Sequence, residues 1–163
     1  MSKGTADALG VSDHHRTHVA NKNETFSCAG WRVVPIELQH DAAEPIGFLI
    51  EPADRDDSLL FIPDTAFIEN RIYGVGQIAV ECNHIGDVLS DNIINGHLPA
   101  VVGRRVRRNH MSLETLIHML KSNDLSHCRR IFLLHLSDIN SDEKRMVREV
   151  QEATGIPTEA VEA

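Results

Sequence analysis

Four apolar runs in this chain each end in a His, an Asp or a Glu, and that pattern limits the folds open to it. "VVPIEL" passes into Gln39-His40-Asp41, and "LLFI" passes into Pro63-Asp64-Thr65. "IAV" passes into Glu81-Cys82-Asn83-His84, and Ile131 to Leu134 pass into His135. Short apolar runs bounded by turn residues are the signature of buried strands. In layered sheet folds, ligands collect beyond the strand ends, where loops carry polar groups on a rigid frame. A buried strand that ends in an imidazole therefore raises the question of what sits opposite it.

The rest of the chain supports a layered domain. "ETFSCAG" and "WRVVPIEL" form two strands joined at Ala29-Gly30. "IGFLIE", "SLLFIPD" and "QIAVECN" are further strands, with "PADRDD" as a polar turn between the first two. Residues 3 to 9 suit a short helix, and "HIGDVLSDNII" is helical. "SLETLIHMLKSN" is a helix capped by Ser112, with Leu113, Leu116, Ile117 and Leu120 on one face. "IFLL" is the last strand. A final helix follows, with Ser141 as N-cap and Gly155 and Pro157 as stops. Strands first and helices later, with some alternation, predict a single α/β (α+β layered) domain over 1–163.

Composition narrows the function. A length of 163 residues suits one domain with a real core, and a formal charge of −8 argues against a general nucleic-acid coat protein. No apolar stretch approaches the ~20 residues of a membrane span, and "MSKGTADALG" has no signal core, so a cytoplasmic protein is expected. Three cysteines without CxxC spacing fit reduced thiols. His40, Asp64 and His135 form a mixed nitrogen and oxygen set that suits zinc, manganese or iron, or that faces a substrate phosphate. Each has a plainer explanation as well. A strand-end His is often a hydrogen-bonded structural residue, Asp64 after Pro63 can cap a turn with Thr65, and Glu81 can be a solvated rim carboxylate. "GRRVRR" places Arg104, Arg105, Arg107 and Arg108 just ahead of His110, either as phosphate contacts or as a solvated charged segment. His84 beside Asn83 is a candidate supporting group, and Cys82 a buried thiol.

The blocks "QHDAAEPIGFLIE", "LLFIPDTAFIENRIYGVGQIAVECN" and "RNHMSLETLIHMLKSNDLSHCRRIFLLHLSDINSDEK" together resemble the metallo-β-lactamase superfamily. The likeness is to its small bacterial and phage metallo-hydrolases, some of them exonuclease-like, and runs from Ser2 to about Pro157. It implies metal ligation by His40, Asp64 and His135, with Asp64 bridging two ions, zinc or manganese. It implies that His110 touches substrate or metal-bound phosphate. The superfamily's HxHxDH signature is absent, and "DHHRTH" at residues 13 to 18 has the wrong spacing to replace it. The expectation is a partial αββα sandwich without its N-terminal strands and main metal loop. The implied activity is a metal-dependent hydrolase acting on phosphodiesters such as nucleic acid. The alternatives are a non-catalytic remnant or subunit completed by a chain carrying HxHxDH, and a thioester or lactone hydrolase of the same superfamily. An exposed sheet face would also make the chain homo-oligomeric or partner-dependent.

Overall fold

The computed structural model describes residues 1–52, 57–69 and 71–161. Most of the "PADRDD" turn lies outside the described residues. The elements run α1 (Lys3–Ala8), β1 (Phe26–Cys28), β2 (Trp31–Glu37), β3 (Ile46–Glu51), β4 (Leu59–Ile62) and β5 (Gln77–Glu81). After them come α2 (Gly86–Ile94), α3 (Ala100–Asn109), α4 (Leu113–Lys121), β6 (Arg130–Leu134), α5 (Glu143–Thr154) and β7 (Thr158–Ala160).

The strands form one seven-stranded sheet in sequential order. From β1 to β4 it is an antiparallel meander, and from β4 to β7 it is parallel. The β1–β2 hairpin turns at Ala29 and Gly30, whose φ values of 50° and 85° are those of a primed turn that matches strand twist. Parallel strands need long crossovers. Helices α2, α3 and α4 supply the one from β5 to β6, and α5 the one from β6 to β7. Two reversals of direction leave β2 parallel in sense to β4. The carboxyl ends of β2, β4, β5 and β6 therefore share one edge of the sheet.

One face of the sheet carries the core. Leu60, Ile78 and Ile131 are register partners, as are Ile62, Val80 and Leu133, and all six are buried. They pack with Leu113, Leu116 and Leu120 of α4 and with Met146 and Val150 of α5. At about 25 cal/mol per Å² of apolar area removed from water, this cluster is the main stabilising term of the fold. The alternate residues, Phe48, Phe61 and Phe132, line up across the opposite face and are only half-buried. Trp31 and Phe26, at the β1–β2 end, are exposed.

Two expectations need correction, and one helix was not foreseen. "IFLL" is not the last strand, because β7 pairs with β6 beyond Pro157; three residues are too few to show period-two alternation. Asp142, not Ser141, caps α5, its side chain accepting from Arg145 N, while the Ser141 hydroxyl donates to the Ser137 carbonyl at 2.6 Å. The arginines of "GRRVRR" lie on the helix α3. Its interior glycine, Gly103, disguises the helix. A Cβ there would stand 2.4 Å from Ile93 Cδ1, so any side chain would have to displace that of Ile93 on α2.

Candidate metal centre

The shared carboxyl edge brings four residues together. Asp64, Glu81, His110 and His135 each offer a ligand atom, and these atoms all lie within 4.8 Å of one another. Asp64 follows β4, Glu81 ends β5, His135 follows β6, and His110 is the C-cap of α3.

Glu81 is the hub and has no solvent exposure. One carboxylate oxygen, Oε2, accepts from the backbone N–H groups of Thr65 (2.7 Å) and Met111 (3.1 Å). The other, Oε1, meets Nδ1 of His110 at 2.5 Å and Nδ1 of His135 at 3.1 Å. A buried carboxylate is tolerated only when it is hydrogen-bonded and paired in this way. The alternative of a solvated rim carboxylate therefore fails for Glu81. The hydrogen bond to Glu81 also raises the basicity of His110 above that of an ordinary histidine.

The neighbouring loops are pinned to this hub. Gln39 N donates to Thr65 Oγ1 at 2.9 Å and Ala66 N to the Gln39 carbonyl at 2.9 Å, which ties the His40 loop to the Asp64 loop. His135 has φ of 55°, a left-handed conformation uncommon outside glycine. Asn83 holds it there, its side-chain amide donating to the His135 carbonyl at 2.9 Å. Backbone strain of this kind persists only where the surroundings impose it, and it gathers at functional sites. Exposure rises outward, with side-chain values of 0% for Glu81, 19% for His110 and 48% for His135, so the cluster opens to solvent on the His135 and Asp64 side.

The expected site residues separate as follows. Asp64 and His135 are in direct contact through the carboxylate and Nδ1. His40 stands beside the cluster, its ring edge-on to that of His110 with centroids 5.1 Å apart. Its Nδ1 accepts from Ala42 N at 3.0 Å, which places the proton of a neutral ring on Nε2. In this arrangement His40 is a hydrogen-bond donor next to the cluster. Of the arginines, Arg105 pairs with Asp41 at 2.9 Å, next to His40. Arg107 bonds Ser90 Oγ at 2.7 Å and lines a recess against His110. Arg104 and Arg108 are exposed on α3. Glu81 was visible in the sequence only as one more acid at a strand end. Its role depends on backbone donors from loops 16 and 30 residues away.

The donor set fits a divalent cation. It is two carboxylates and two imidazoles crowded into one ligand sphere, the mixture that zinc and first-row metals accept. Nδ1 of His110 is turned to Glu81, which leaves Nε2 as its free ring nitrogen, the usual arrangement behind metal-bound histidines, while Nδ1 of His135 lies between the Asp64 and Glu81 carboxylates.

No family model matches the chain, and no curated protein matches it. Its fold does match solved structures. Against the metallo-β-lactamase fold protein YhfI from Bacillus subtilis the TM-score is 0.66 at 10% identity, covering 97% of this chain and 58% of YhfI. CmlA, a diiron β-hydroxylase from Streptomyces venezuelae, gives 0.60 at 16% identity, covering 98% of this chain and 36% of CmlA. A diphosphatase of the PhnP family gives 0.58 at 11% identity, covering 96% of this chain and 50% of its own. The chain thus has the metallo-β-lactamase fold and spans between about a third and three fifths of the length of these neighbours. No helix among the described residues is long and apolar enough to cross a membrane.

Proposed function

We propose that this chain is a metal-dependent hydrolase of phosphodiesters. The observation that carries the reading is the convergence of Asp64, Glu81, His110 and His135 at one sheet edge, with ligand atoms within 4.8 Å of one another. The fold it shares with metallo-hydrolases, and the arginines around the cluster, favour it further. Asp64 and His135 would hold the ion, zinc or manganese. When bound, such an ion lowers the pKa of water and polarises the scissile ester.

The chain's own residues do the rest. Glu81 fixes both imidazole rings and keeps their Nδ1 protons turned inward. His110, made more basic by Glu81, would in its protonated form donate from Nε2 to a phosphoryl oxygen while Nδ1 stays on the carboxylate. His40, with its proton on Nε2, adds a second donor beside it. Arg107, beside His110, supplies positive charge matched to an anionic substrate, while Arg105 is paired with Asp41.

A second reading is favoured by the half-buried sheet face that carries Phe48, Phe61 and Phe132. Asp64 and His135 are fewer than the about four ligands that an ion takes. In that reading a polypeptide carrying further His and Asp ligands, such as an HxHxDH segment, seats on this face and completes the centre. A thioester or lactone hydrolase fits the arginines less well.

The test is hydrolysis of bis(p-nitrophenyl) phosphate with added manganese or zinc. Turnover that EDTA abolishes and either metal restores supports the first reading. Turnover unchanged by EDTA refutes it. Metal binding without turnover, with the chain eluting as a complex or self-associating species, supports the second.

A further inference from the structure

The alternation of β6 sends His135 the wrong way. Side chains two apart along a strand share a face. Ile131 and Leu133 face the core and are fully buried. Phe132 and Leu134 lie on the opposite face, as register partners of Ala79 and Glu81. Extended backbone at residue 135 would therefore turn the imidazole with Ile131 and Leu133, towards the core and away from Glu81. The left-handed φ of 55° breaks the alternation at this residue. The ring nitrogen Nδ1 meets the Asp64 and Glu81 carboxylates instead.

Left-handed backbone is unfavourable for a residue with a Cβ, so a specific partner must hold it. The bonding between the ends of β5 and β6 shows which. Cys82 N donates to the Leu134 carbonyl at 2.9 Å, and Ser137 N donates to the Asn83 carbonyl at 2.9 Å. The His135 carbonyl falls between these two bonds, and its donor is the Asn83 side-chain amide at 2.9 Å. Asn83 is itself fixed. It is 6% exposed, and its backbone N–H donates to the Met111 carbonyl at 2.9 Å. One buried residue thus ties the end of β5 to the His135 loop and to the turn between α3 and α4 that carries His110.

We propose that Asn83 is the positioning residue of the metal centre: its side-chain amide locks His135 in the left-handed conformation that aims the imidazole at Asp64 and Glu81. Asn83 touches neither substrate nor cation and acts only through His135. The imidazole's task rests on the reading of the cluster as the centre of a metal-dependent hydrolase. The backbone lock belongs to the chain without metal and stands apart from that reading. Loss of a group that orients a metal ligand typically weakens binding ~10–100-fold. Asn83 therefore sets metal affinity.

The test compares glycine with alanine at position 135. Glycine accepts left-handed backbone and alanine resists it, whereas in extended backbone alanine is the more stable. In EDTA, with Asn83 in place, His135→Gly should therefore unfold at a higher urea midpoint than His135→Ala. Both variants have lost the imidazole's own contacts, so the difference reports the backbone alone. Adding Asn83→Leu, which nearly keeps the volume and has no donor, should reverse the order. If that variant does not fold, Asn83→Ser, whose shorter side chain stops short of the carbonyl, carries the comparison. Cobalt(II) is the second probe, read through its visible bands in the chain with His135 intact. Asn83→Leu should weaken cobalt binding about tenfold or more and alter those bands. Asn123→Ala removes the Oδ1 that accepts from Ile72 N at 2.8 Å, beyond the carboxyl end of α4. It should lower stability and leave cobalt affinity and bands unchanged. Equal midpoints for the two residue-135 variants, a glycine preference that survives Asn83→Leu, or cobalt affinity unmoved by that variant overturns the proposal. The two readings fail separately. No cobalt bound by the native chain, with the midpoints reversing as stated, refutes the metal centre alone. Cobalt binding and EDTA-sensitive hydrolysis, with the glycine preference indifferent to Asn83, refute the positioning role alone.

Discussion

Replacing Glu81 by glutamine tests the hub directly. The side chain keeps its shape, and its amide oxygen can still accept from Thr65 N and Met111 N. The amide nitrogen then faces Nδ1 of His110 and His135, where Oε1 now lies 2.5 Å and 3.1 Å away. Two donors cannot face each other, so both rings must move their protons to Nε2. The lone pairs left for a cation disappear, and the negative charge at the centre goes with them. Loss of such a supporting carboxylate typically costs ~10–100-fold in metal affinity, which is about 1.4–2.7 kcal/mol of binding. Folding loses less than it would in Glu81→Ala, where an unpaired buried network would cost about 3–5 kcal/mol. The assay is zinc affinity by competition with a chromophoric chelator, run beside urea unfolding with and without metal. At about a hundredfold excess over Kd, zinc should stabilise the native chain by ~2.7 kcal/mol. The same zinc should stabilise Glu81→Gln much less. A variant that binds zinc as tightly as the native chain refutes the orienting role.

Two more outcomes follow from residues around the site. Burial pushes the His84 pKa down from 6.5 to about 4. Between those values the unfolded chain takes up a proton that the folded chain refuses, so stability falls as pH drops from 6.5 towards 4, by about 3 kcal/mol in all. Urea midpoints across that range should show the slope, and it should flatten in His84→Gln; an unchanged slope assigns it to other groups. Gly103→Ala should destabilise the fold by about 1 kcal/mol although alanine is the better helix former, because its methyl meets Ile93. Adding Ile93→Ala should remove that clash penalty, and a Gly103→Ala single variant more stable than the native chain contradicts the close approach of α2 and α3.

The strands and the edge where polar residues gather were legible because both rest on local pattern. Alternation and apolar runs mark β2 to β6, and the polar residue at each run's end marks the rim. Sheet topology then does the rest, since β2, β4, β5 and β6 all leave at one side. Less legible was whatever depends on distant partners. Glu81 looks in sequence like any strand-end acid; only the Thr65 and Met111 amides and two imidazoles make it a hub. His40 has the same sequence appearance as His135, yet Ala42 N engages its Nδ1 and sets it beside the cluster. The helix α3 was hidden by Gly103, whose reason lies on α2, and Arg107 is singled out from three similar arginines only by Ser90. His84 follows the same rule, being one of ten histidines until the fold buries it with an unpartnered nitrogen.

The central claim is a cation held by Asp64 and His135 in front of Glu81. Crystals soaked in zinc and measured on both sides of the zinc absorption edge test it without reference to any substrate. The account predicts an anomalous peak within about 2.0–2.2 Å of Asp64 oxygen and His135 nitrogen, with Glu81 still bonded to Thr65 N and Met111 N. A peak that lies only at surface histidines such as His14 and His15, with the cluster empty, contradicts it.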